Sequence, residues 1–151
     1  MFYQLHFSQT LNCSVDDAWS FITTPSNLKK VTPRAMSFRI LSDNDQMKVY
    51  PGMIIIHEVV PLLGIKMKWM TEITQCMEKK RFVDEQRVGP YKMWHHQHII
   101  EDHESHVIMK DIITYIPPFG IIGRIANKFF IKKKINSIFQ YRKEILDKLF
   151  N

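Results

Sequence analysis

Short connections between successive strand-like segments constrain the fold of this sequence more than any other feature. Residues 65–75, 81–88, 91–101 and 107–116 alternate apolar and polar side chains, which is the period-two pattern of β-strands. The segments between them are too short to contain a crossover helix, which a parallel pair of strands would need. We therefore predict an antiparallel sheet in this part of the chain.

The rest of the chain supplies helices and further strands. Before the sheet region the pattern predicts a strand at 2–11, a helix at 14–21, a short helix between Pro25 and Pro33, and strands at 37–41 and 53–60. From Gly120 to Phe150 the pattern is helical, with a length of roughly 45 Å. The sequence thus predicts an α+β protein, in which a strongly curved antiparallel sheet wraps around a long C-terminal helix and two short helices follow the first strand.

The size and charge of the chain limit the function classes. Its 151 residues and 18.0 kDa suit one domain that spans 1–151. The formal net charge of +6 arises entirely in residues 121–151, which hold eight basic and two acidic side chains. The apolar runs are far shorter than a membrane-spanning helix, and the first residues lack the pattern of a secretion signal. We therefore expect a cytoplasmic location.

Side chains that share a strand face define the candidate site. In the strand 65–75 the odd-numbered residues form the more apolar face, so Trp69 and Thr71 are expected to point inward. The same alternation on the next three strands places a polar set inside an apolar wall, and the long helix adds one aromatic ring. The predicted ligand-binding residues are Trp69, Thr71, Phe82, Asp84, Gln86, Trp94, His96, His98, Met109, Asp111, Tyr115 and Phe129.

The polar members of this set support three interpretations. They could orient a ligand carbonyl or hydroxyl group, or they could satisfy one another as a buried structural network. They could also carry out acid–base catalysis, with a carboxylate beside a histidine as general base and a tyrosine as donor to an enolate oxygen. The catalytic candidates would then be His96, His98, Asp111, Asp84 and Tyr115.

Metal ions and nucleotide cofactors are expected to be absent. His96 and His98 could share a zinc ion with Asp84 or Asp111, since imidazole and carboxylate groups suit that metal. Their spacing matches no established ligand motif, however, so we expect no functional metal. The segment 120–123 contains two glycines but not the further glycine and lysine of a phosphate-binding loop. We interpret it as the entrance of the long helix and expect no cofactor.

A basic stretch in the long helix has two interpretations. Lys128, Lys132, Lys133 and Lys134 are interleaved with aromatic and apolar residues. Such a composition is typical of a solvated face on a packed helix, and it also suits weak contact with an anionic membrane. Nothing in the stretch matches a nucleic-acid recognition motif, so we expect no nucleic-acid partner.

Several short motifs resemble those of one protein superfamily. They are Trp69-Met70-Thr71-Glu72-Ile73, Phe82-Val83-Asp84-Glu85-Gln86, Gly89-Pro90-Tyr91, Trp94-His95-His96-Gln97-His98, Asp111 with Tyr115, Pro118-Phe119-Gly120, and Phe139-Gln140-Tyr141-Arg142. Together with the element order, they resemble the SRPBCC superfamily, also called START or Bet v 1-like helix-grip proteins, over nearly the full chain. They are similar to a branch of small bacterial stand-alone proteins described as ligand-binding or polyketide cyclase/dehydrase-like.

The resemblance implies a helix-grip fold with a cavity for lipids, sterols, polyketides or similar molecules, and the superfamily contains both enzymes and carriers. We therefore expect a carrier or sensor that binds a small hydrophobic molecule, such as a lipid, a sterol-like, a polyketide or a quinone-like compound, between the sheet and the C-terminal helix. The alternative is an enzyme of the cyclase/dehydratase or isomerase type. A third alternative is a membrane-surface adaptor, and both a monomer and a homodimer stay open.

Overall fold

Seven antiparallel strands form one curved sheet. The computed structural model describes residues 1–60 and 64–151. The strands are β1 (Tyr3–Leu11), β2 (Arg39–Ile40), β3 (Ile54–Val59), β4 (Met67–Met77), β5 (Arg81–Val88), β6 (Met93–Asp102) and β7 (Val107–Ile116). Their order across the sheet is β1-β7-β6-β5-β4-β3-β2, and every neighbouring pair is antiparallel. The predicted antiparallel sheet is confirmed.

The first strand pairs with the last strand and forms one edge of the sheet. Tyr3 lies opposite Tyr115 and Leu11 lies opposite Val107, so β1 and β7 pair over their whole length. In β4 the register shifts between Met70 and Thr71, and such irregularities bend and twist a strand. The sheet is therefore curved enough to enclose a helix on its concave face.

The segment between β1 and β2 contains one α-helix and two short 3₁₀ helices. Helix α1 (Val15–Ile22) begins at Ser14, whose hydroxyl oxygen accepts a hydrogen bond from the backbone N–H of Asp17 at 3.1 Å. The 3₁₀ helix Pro25–Lys29 lies within the span where the sequence predicted a second helix, and it ends before Pro33, because a proline disfavours helical backbone in the residue before it. The second 3₁₀ helix, Arg34–Met36, follows Pro33 and was not predicted.

The C-terminal helix runs without interruption over the predicted span, but it is not α-helical throughout. It consists of α2 (Gly120–Ala126), a π-helical turn (Asn127–Ile131) and α3 (Lys132–Phe150). At the start of the helix a Cβ atom on Gly123 would lie 1.7 Å from the carbonyl oxygen of Pro118, so only glycine fits there. This close approach supports the interpretation of the segment as a helix entrance.

The core lies between the concave face of the sheet and α3. Ile135, Phe139 and Leu146 project from one side of α3 and are all at least nine-tenths buried. The ring of Phe139 stacks on that of Phe7 from β1, with centroids 4.3 Å apart. A second apolar cluster around Trp19 and Met53 fills the far end of the sheet beneath α1. One helix does not cover the whole concave face, and the uncovered part contains the candidate site.

Candidate functional site

A cavity of about 200 Å³ lies between the sheet, the two 3₁₀ helices and α3. Its lining is mostly apolar. The sheet contributes Ile55, Val59, Ile73 and Phe82; the short helices contribute Leu28, Val31 and Met36; and α3 contributes Ile135, Ile138 and Leu146. Polar side chains concentrate on the β5 and β6 part of the wall. The cavity thus has a large apolar surface and one polar region.

Strand register places two histidines and two aspartates together in that polar region. Asp84 on β5 lies directly opposite His96 on β6, and His98 on β6 lies directly opposite Asp111 on β7. All four side chains point to the concave face because they occupy alternate positions of their strands. The two imidazole rings contact each other, with centroids 3.7 Å apart. We call these four residues the His–Asp cluster.

Asp111 holds the inner side of the His–Asp cluster. Its Oδ1 atom is 2.8 Å from Nε2 of His96 and 3.1 Å from Nδ1 of His98. The same oxygen accepts a hydrogen bond from Nη1 of Arg142 at 3.3 Å. Asp111 is only 3% exposed, so its charge is balanced by these three neighbours and not by water.

Asp84 holds the side of the His–Asp cluster that faces the cavity. Its Oδ2 atom accepts a hydrogen bond from Nε2 of His98 at 2.7 Å and lies 3.5 Å from Nδ1 of His96. Asp84, His96 and His98 line the cavity, whereas Asp111 lines a second, more polar groove of about 490 Å³ between β1 and α3. The cluster therefore separates the two spaces.

Arg142 is a site residue that the strand analysis missed. It projects from α3 into the cavity wall, and its guanidinium carbon lies 4.9 Å from the centroid of the Phe139 ring. Its three-residue spacing from Phe139 places both on one helix face, which is the signal that could have revealed it. It supplies the positive charge next to Asp111.

The surroundings move the pKa values of the two histidines in opposite directions. Burial, together with the charge of His98, lowers the pKa of His96. Burial also acts to lower the pKa of His98, but the hydrogen bonds to Asp111 and Asp84 outweigh it, so the pKa of His98 is raised. The arrangement favours the cationic form of His98, in which both ring nitrogens carry a proton, so that Nε2 donates a hydrogen bond to Asp84 and Nδ1 donates one to Asp111.

Both aspartates of the cluster are held in the ionised state. Burial acts to raise their pKa values, but nearby positive charge and hydrogen bonds have the larger combined effect. For Asp111 the charge of Arg142 and the hydrogen bonds from both histidines bring the pKa well below its usual value. For Asp84 the hydrogen bond from His98 is the largest lowering influence on the pKa.

Eight of the twelve predicted ligand-binding residues line the cavity. Besides the three cluster residues at the cavity, the wall contains Trp69, Thr71, Phe82, Trp94 and Met109. Gln86 lies at the β5–β6 connection, where its side-chain amide donates a hydrogen bond to the Tyr91 carbonyl at 2.7 Å and accepts one from the Tyr91 N–H at 3.2 Å. Gln86 thus closes a hairpin and is outside the cavity lining.

Tyr115 and Phe129 also lie outside the cavity lining. The hydroxyl of Tyr115 is buried and donates a hydrogen bond to Oδ1 of Asn127 at 2.7 Å, which fixes the π-helical turn against β7. Phe129 is 59% exposed. Phe129 precedes Ile135 by six residues and Phe139 by ten, so at roughly 100° per residue it lies about 120° and about 80° away from them around the helix. Phe129 therefore faces outward while Ile135 and Phe139 face the sheet.

Two further cavity residues carry polar atoms without a partner. His57 on β3 lies opposite Trp69 on β4, and their rings stack with centroids 5.7 Å apart. Within residues 1–60 and 64–151, Nδ1 of His57 and Nε1 of Trp69 are buried and make no hydrogen bond. Trp69 is among the residues predicted from the sequence, whereas His57 is not, since a single histidine in an apolar strand gives no functional signal.

The fold and the cavity define the class of the protein. The curved antiparallel sheet, the long C-terminal helix and the cavity between them are the features of a helix-grip protein of the START and Bet v 1-like class. A family model described as polyketide cyclase/dehydrase and lipid transport matches residues 11–135. The chain belongs to this family, within the SRPBCC superfamily.

Solved structures share the fold at low sequence identity. Protein CV1439 from Chromobacterium violaceum aligns with a TM-score of 0.74 and 11% identity, over 97% of this chain and 96% of that one. A START superfamily protein from Mycobacterium smegmatis aligns with a TM-score of 0.71 and 10% identity, over 97% and 96%. A norcoclaurine synthase point mutant from Thalictrum flavum aligns with a TM-score of 0.66 and 12% identity, over 97% and 94%. A comparison with curated proteins finds no match.

Proposed function

We propose that the protein binds a compact, largely apolar small molecule with at least one oxygen-containing group, as a carrier or sensor. The observation that carries the proposal is the cavity of about 200 Å³ with apolar walls and one polar region. Pockets of this composition bind ligands by apolar contact, and a few fixed polar groups set the orientation. Family membership supports the same class of ligand.

The size of the cavity narrows the ligand class. Pockets for drug-sized ligands have roughly 300–1,000 Å³, and an apolar cavity of about 150 Å³ accommodates benzene. A cavity of about 200 Å³ therefore suits one or two rings better than a complete sterol or a two-chain lipid. Within the proposed class, polyketide-like or quinone-like ring compounds fit this volume best.

Polar atoms at two places support an oxygen-containing ligand. The N–H of Trp69 makes no hydrogen bond within the described residues, and an indole nitrogen can only donate. A buried donor without a partner costs about 1–3 kcal/mol, which a ligand oxygen could offset. At the polar region, Asp84 and the two histidines would set the orientation of a hydroxyl or carbonyl group.

Binding of 2-naphthol, a two-ring probe with one hydroxyl group, tests the proposal. We expect saturable 1:1 binding by isothermal titration calorimetry in a buffer that contains EDTA. Ile138 lines the cavity from α3 and is half-buried, so Ile138→Trp should fill part of the space and weaken binding at least tenfold. Lys148→Trp introduces the same side chain at an exposed position of the same helix and should leave the affinity unchanged.

Two outcomes would contradict the binding proposal. Absence of saturable binding by the wild-type protein would exclude a ligand of this class from the cavity. Equal affinities for wild type and Ile138→Trp would show that the probe binds elsewhere. A circular dichroism spectrum of each variant checks that it is folded.

A second surface favours contact with a membrane. Near the start of the C-terminal helix, large apolar side chains are 57–82% exposed, and such a cluster is unusual on the surface of a soluble protein. They are Phe119, Ile121, Ile122, Ile125, Phe129 and Phe130. We call these six residues the apolar patch. Separately, no helix in the described ranges 1–60 and 64–151 is both long and apolar enough to cross a bilayer.

Basic side chains accompany the apolar patch. Arg124, Lys128, Lys132 and Lys133 are exposed on the same stretch of helix, while Lys134 is half-buried and lines the cavity. No acidic residue occurs between Asp111 and Glu144. Apolar side chains flanked by lysines are the features of a helix that lies in the surface of an anionic bilayer. We propose that this surface holds the protein at such a membrane, where an apolar ligand is exchanged.

Vesicle binding tests the membrane proposal. We expect the protein to sediment with phosphatidylcholine vesicles that contain phosphatidylserine and to do so much less without phosphatidylserine. Burying a phenylalanine side chain contributes about 1.5–3 kcal/mol, so Phe130→Gln should weaken binding at least tenfold. Each surface lysine contributes about 1 kcal/mol, so Lys132→Gln should weaken binding about fivefold.

Lys148→Gln serves as the matched control for the vesicle assay. It removes the same charge from an exposed position near the other end of the helix, and it should leave vesicle binding within twofold of wild type. Equal effects of Lys132→Gln and Lys148→Gln would indicate nonspecific attraction by net charge. Binding that is unchanged by Phe130→Gln would contradict insertion of the apolar patch.

A further inference from the structure

We propose that Asp84, His96 and His98 bind one divalent transition-metal ion, such as Zn²⁺, at the polar region of the cavity. Each residue offers one ligand atom, and these three atoms lie within 4.8 Å of one another. Two imidazoles and one carboxylate form a ligand set found in catalytic zinc sites and in non-haem iron sites. The inference goes beyond the binding of an apolar ligand and does not depend on it.

The distances among the ligand atoms suit a common ion. Ligand atoms around a tetrahedral zinc ion lie roughly 3.3 Å apart, given metal–ligand distances of about 2.0–2.1 Å. Oδ2 of Asp84 is 3.5 Å from Nδ1 of His96 and 2.7 Å from Nε2 of His98. The first distance is long for a hydrogen bond, and the second would lengthen by a few tenths of an ångström on binding. The shift required is within the reach of side-chain adjustment.

The second nitrogen of each histidine is already oriented by one carboxylate. Nε2 of His96 and Nδ1 of His98 both contact Oδ1 of Asp111, on the side opposite Asp84. Histidine ligands of metal ions nearly always donate their other ring N–H to a carboxylate, a carbonyl or water, which fixes the ring and its tautomer. Asp111 performs this role for both rings at once.

The local charge also favours a cation. The two aspartates carry two negative charges at the centre of the cluster, and Arg142 contributes one positive charge through its contact with Asp111. Without a metal ion, the second ring proton of His98 balances the remaining negative charge, and metal binding would displace that proton, because a histidine must be unprotonated at the nitrogen that binds a metal. A divalent ion would compensate this negative charge beside Asp84, because Arg142 pairs with the other aspartate, Asp111.

The position of the cluster leaves part of the coordination sphere for a ligand. Asp84, His96 and His98 all line the cavity, and three protein ligands leave at least one position of a zinc ion open. An oxygen atom of a molecule in the cavity, or water, can occupy that position. The His-x-His spacing gave no metal motif in the sequence because the third ligand comes from the neighbouring strand β5.

Metal titration of the full-length protein tests the inference. After treatment with EDTA and removal of the chelator, we expect one Co²⁺ or one Zn²⁺ per chain by calorimetry, with a cobalt absorption spectrum that indicates imidazole and oxygen ligands. Asp84→Asn and His98→Gln should each weaken binding about a hundredfold or more. Asp111→Asn should weaken it about ten- to hundredfold through loss of histidine orientation.

The outer face of the same strands offers a matched control. Nδ1 of His95 and Oε1 of Glu85 lie 2.9 Å apart there, one residue away from His96 and Asp84 in sequence. His95→Gln should leave the metal affinity within twofold of wild type. A second control replaces the stacked pair His103 and His106 with glutamine, which removes two adjacent histidines outside the cavity lining and should also leave the affinity unchanged.

Three outcomes would overturn the metal inference. They are absence of 1:1 binding by the folded wild-type protein, affinity that survives both Asp84→Asn and His98→Gln, and affinity that is lost in the surface-pair variant. The titration contains no apolar probe, whereas 2-naphthol binding is measured in EDTA. Failure of the metal site is therefore distinguishable from failure of the ligand proposal.

Discussion

Replacing Asp111 with alanine is expected to lower the free energy of unfolding by about 3–5 kcal/mol. Asp111 is 3% exposed and contacts His96, His98 and Arg142, so its removal leaves a buried guanidinium and two imidazoles without their shared acceptor. Breaking a buried ion pair on one side costs more than the pair itself contributes, because the remaining charge stays buried. Urea denaturation at pH 7 in EDTA measures the loss.

A control on the opposite face of the sheet isolates burial as the cause. Glu85 also pairs with a histidine and an arginine, His95 and Arg87, but these side chains are 29–44% exposed. Glu85→Ala should therefore cost no more than about 1 kcal/mol. Asp111→Asn keeps the shape of the side chain, so its loss of unfolding free energy should lie between those of Asp111→Ala and Glu85→Ala. This variant can be measured if Asp111→Ala does not fold. Equal losses for Asp111→Ala and Glu85→Ala would contradict the prediction.

The second large expected effect is a decrease in the free energy of unfolding in mild acid, caused by the buried His57. Burial lowers the pKa of His57 from 6.5 to about 4, and the charge of Asp84 only partly opposes this shift. The folded protein thus keeps His57 neutral in a range where the unfolded chain binds a proton. Stability is lost as the pH falls from about 6.5 to about 4, and the His57 contribution is about 3 kcal/mol at 1.36 kcal/mol per pKa unit.

A comparison with a variant that does not titrate tests this prediction. His57 lies against the rings of Phe38 and Trp69, so His57→Leu suits its surroundings. The difference in unfolding free energy between wild type and His57→Leu should shift by about 3 kcal/mol between pH 7 and pH 4, measured by denaturation at each pH. His106→Gln, which removes a half-exposed histidine outside the cavity lining, is the matched control for the loss of a histidine. If the unfolding free energies of wild type and His57→Leu change with pH in parallel, His57 is not the cause of the loss of stability in acid.

The strands that carry the site were predictable because their alternation is strong. The spans 81–88 and 107–116 agree with β5 and β7 at both ends, and the period of two places His96 and His98 on the same face. Short connections then require antiparallel neighbours. Alternation therefore located much of the cavity wall from β4 to β7, without any knowledge of which residues lie opposite one another.

Weakly periodic segments were less predictable. The expected strand at 37–41 is reduced to Arg39–Ile40, since Ser37 has a left-handed backbone with φ 47°. The π turn at Asn127–Ile131 left no pattern in the sequence, and its Asn127 accepts a hydrogen bond from Tyr115, a contact between two separate elements that local periodicity does not report. Phe129, which belongs to this turn, lies on the surface.

The sequence alone determined the α+β class, the antiparallel sheet, the long C-terminal helix and the faces of most strands, because each follows from the periodicity and length of a local segment. Only the tertiary structure decided the register that puts Asp84 beside His96 and Asp111 beside His98, and the approach of Arg142 to that cluster. These contacts join residues far apart in the chain, and their distances depend on strand pairing and helix packing together.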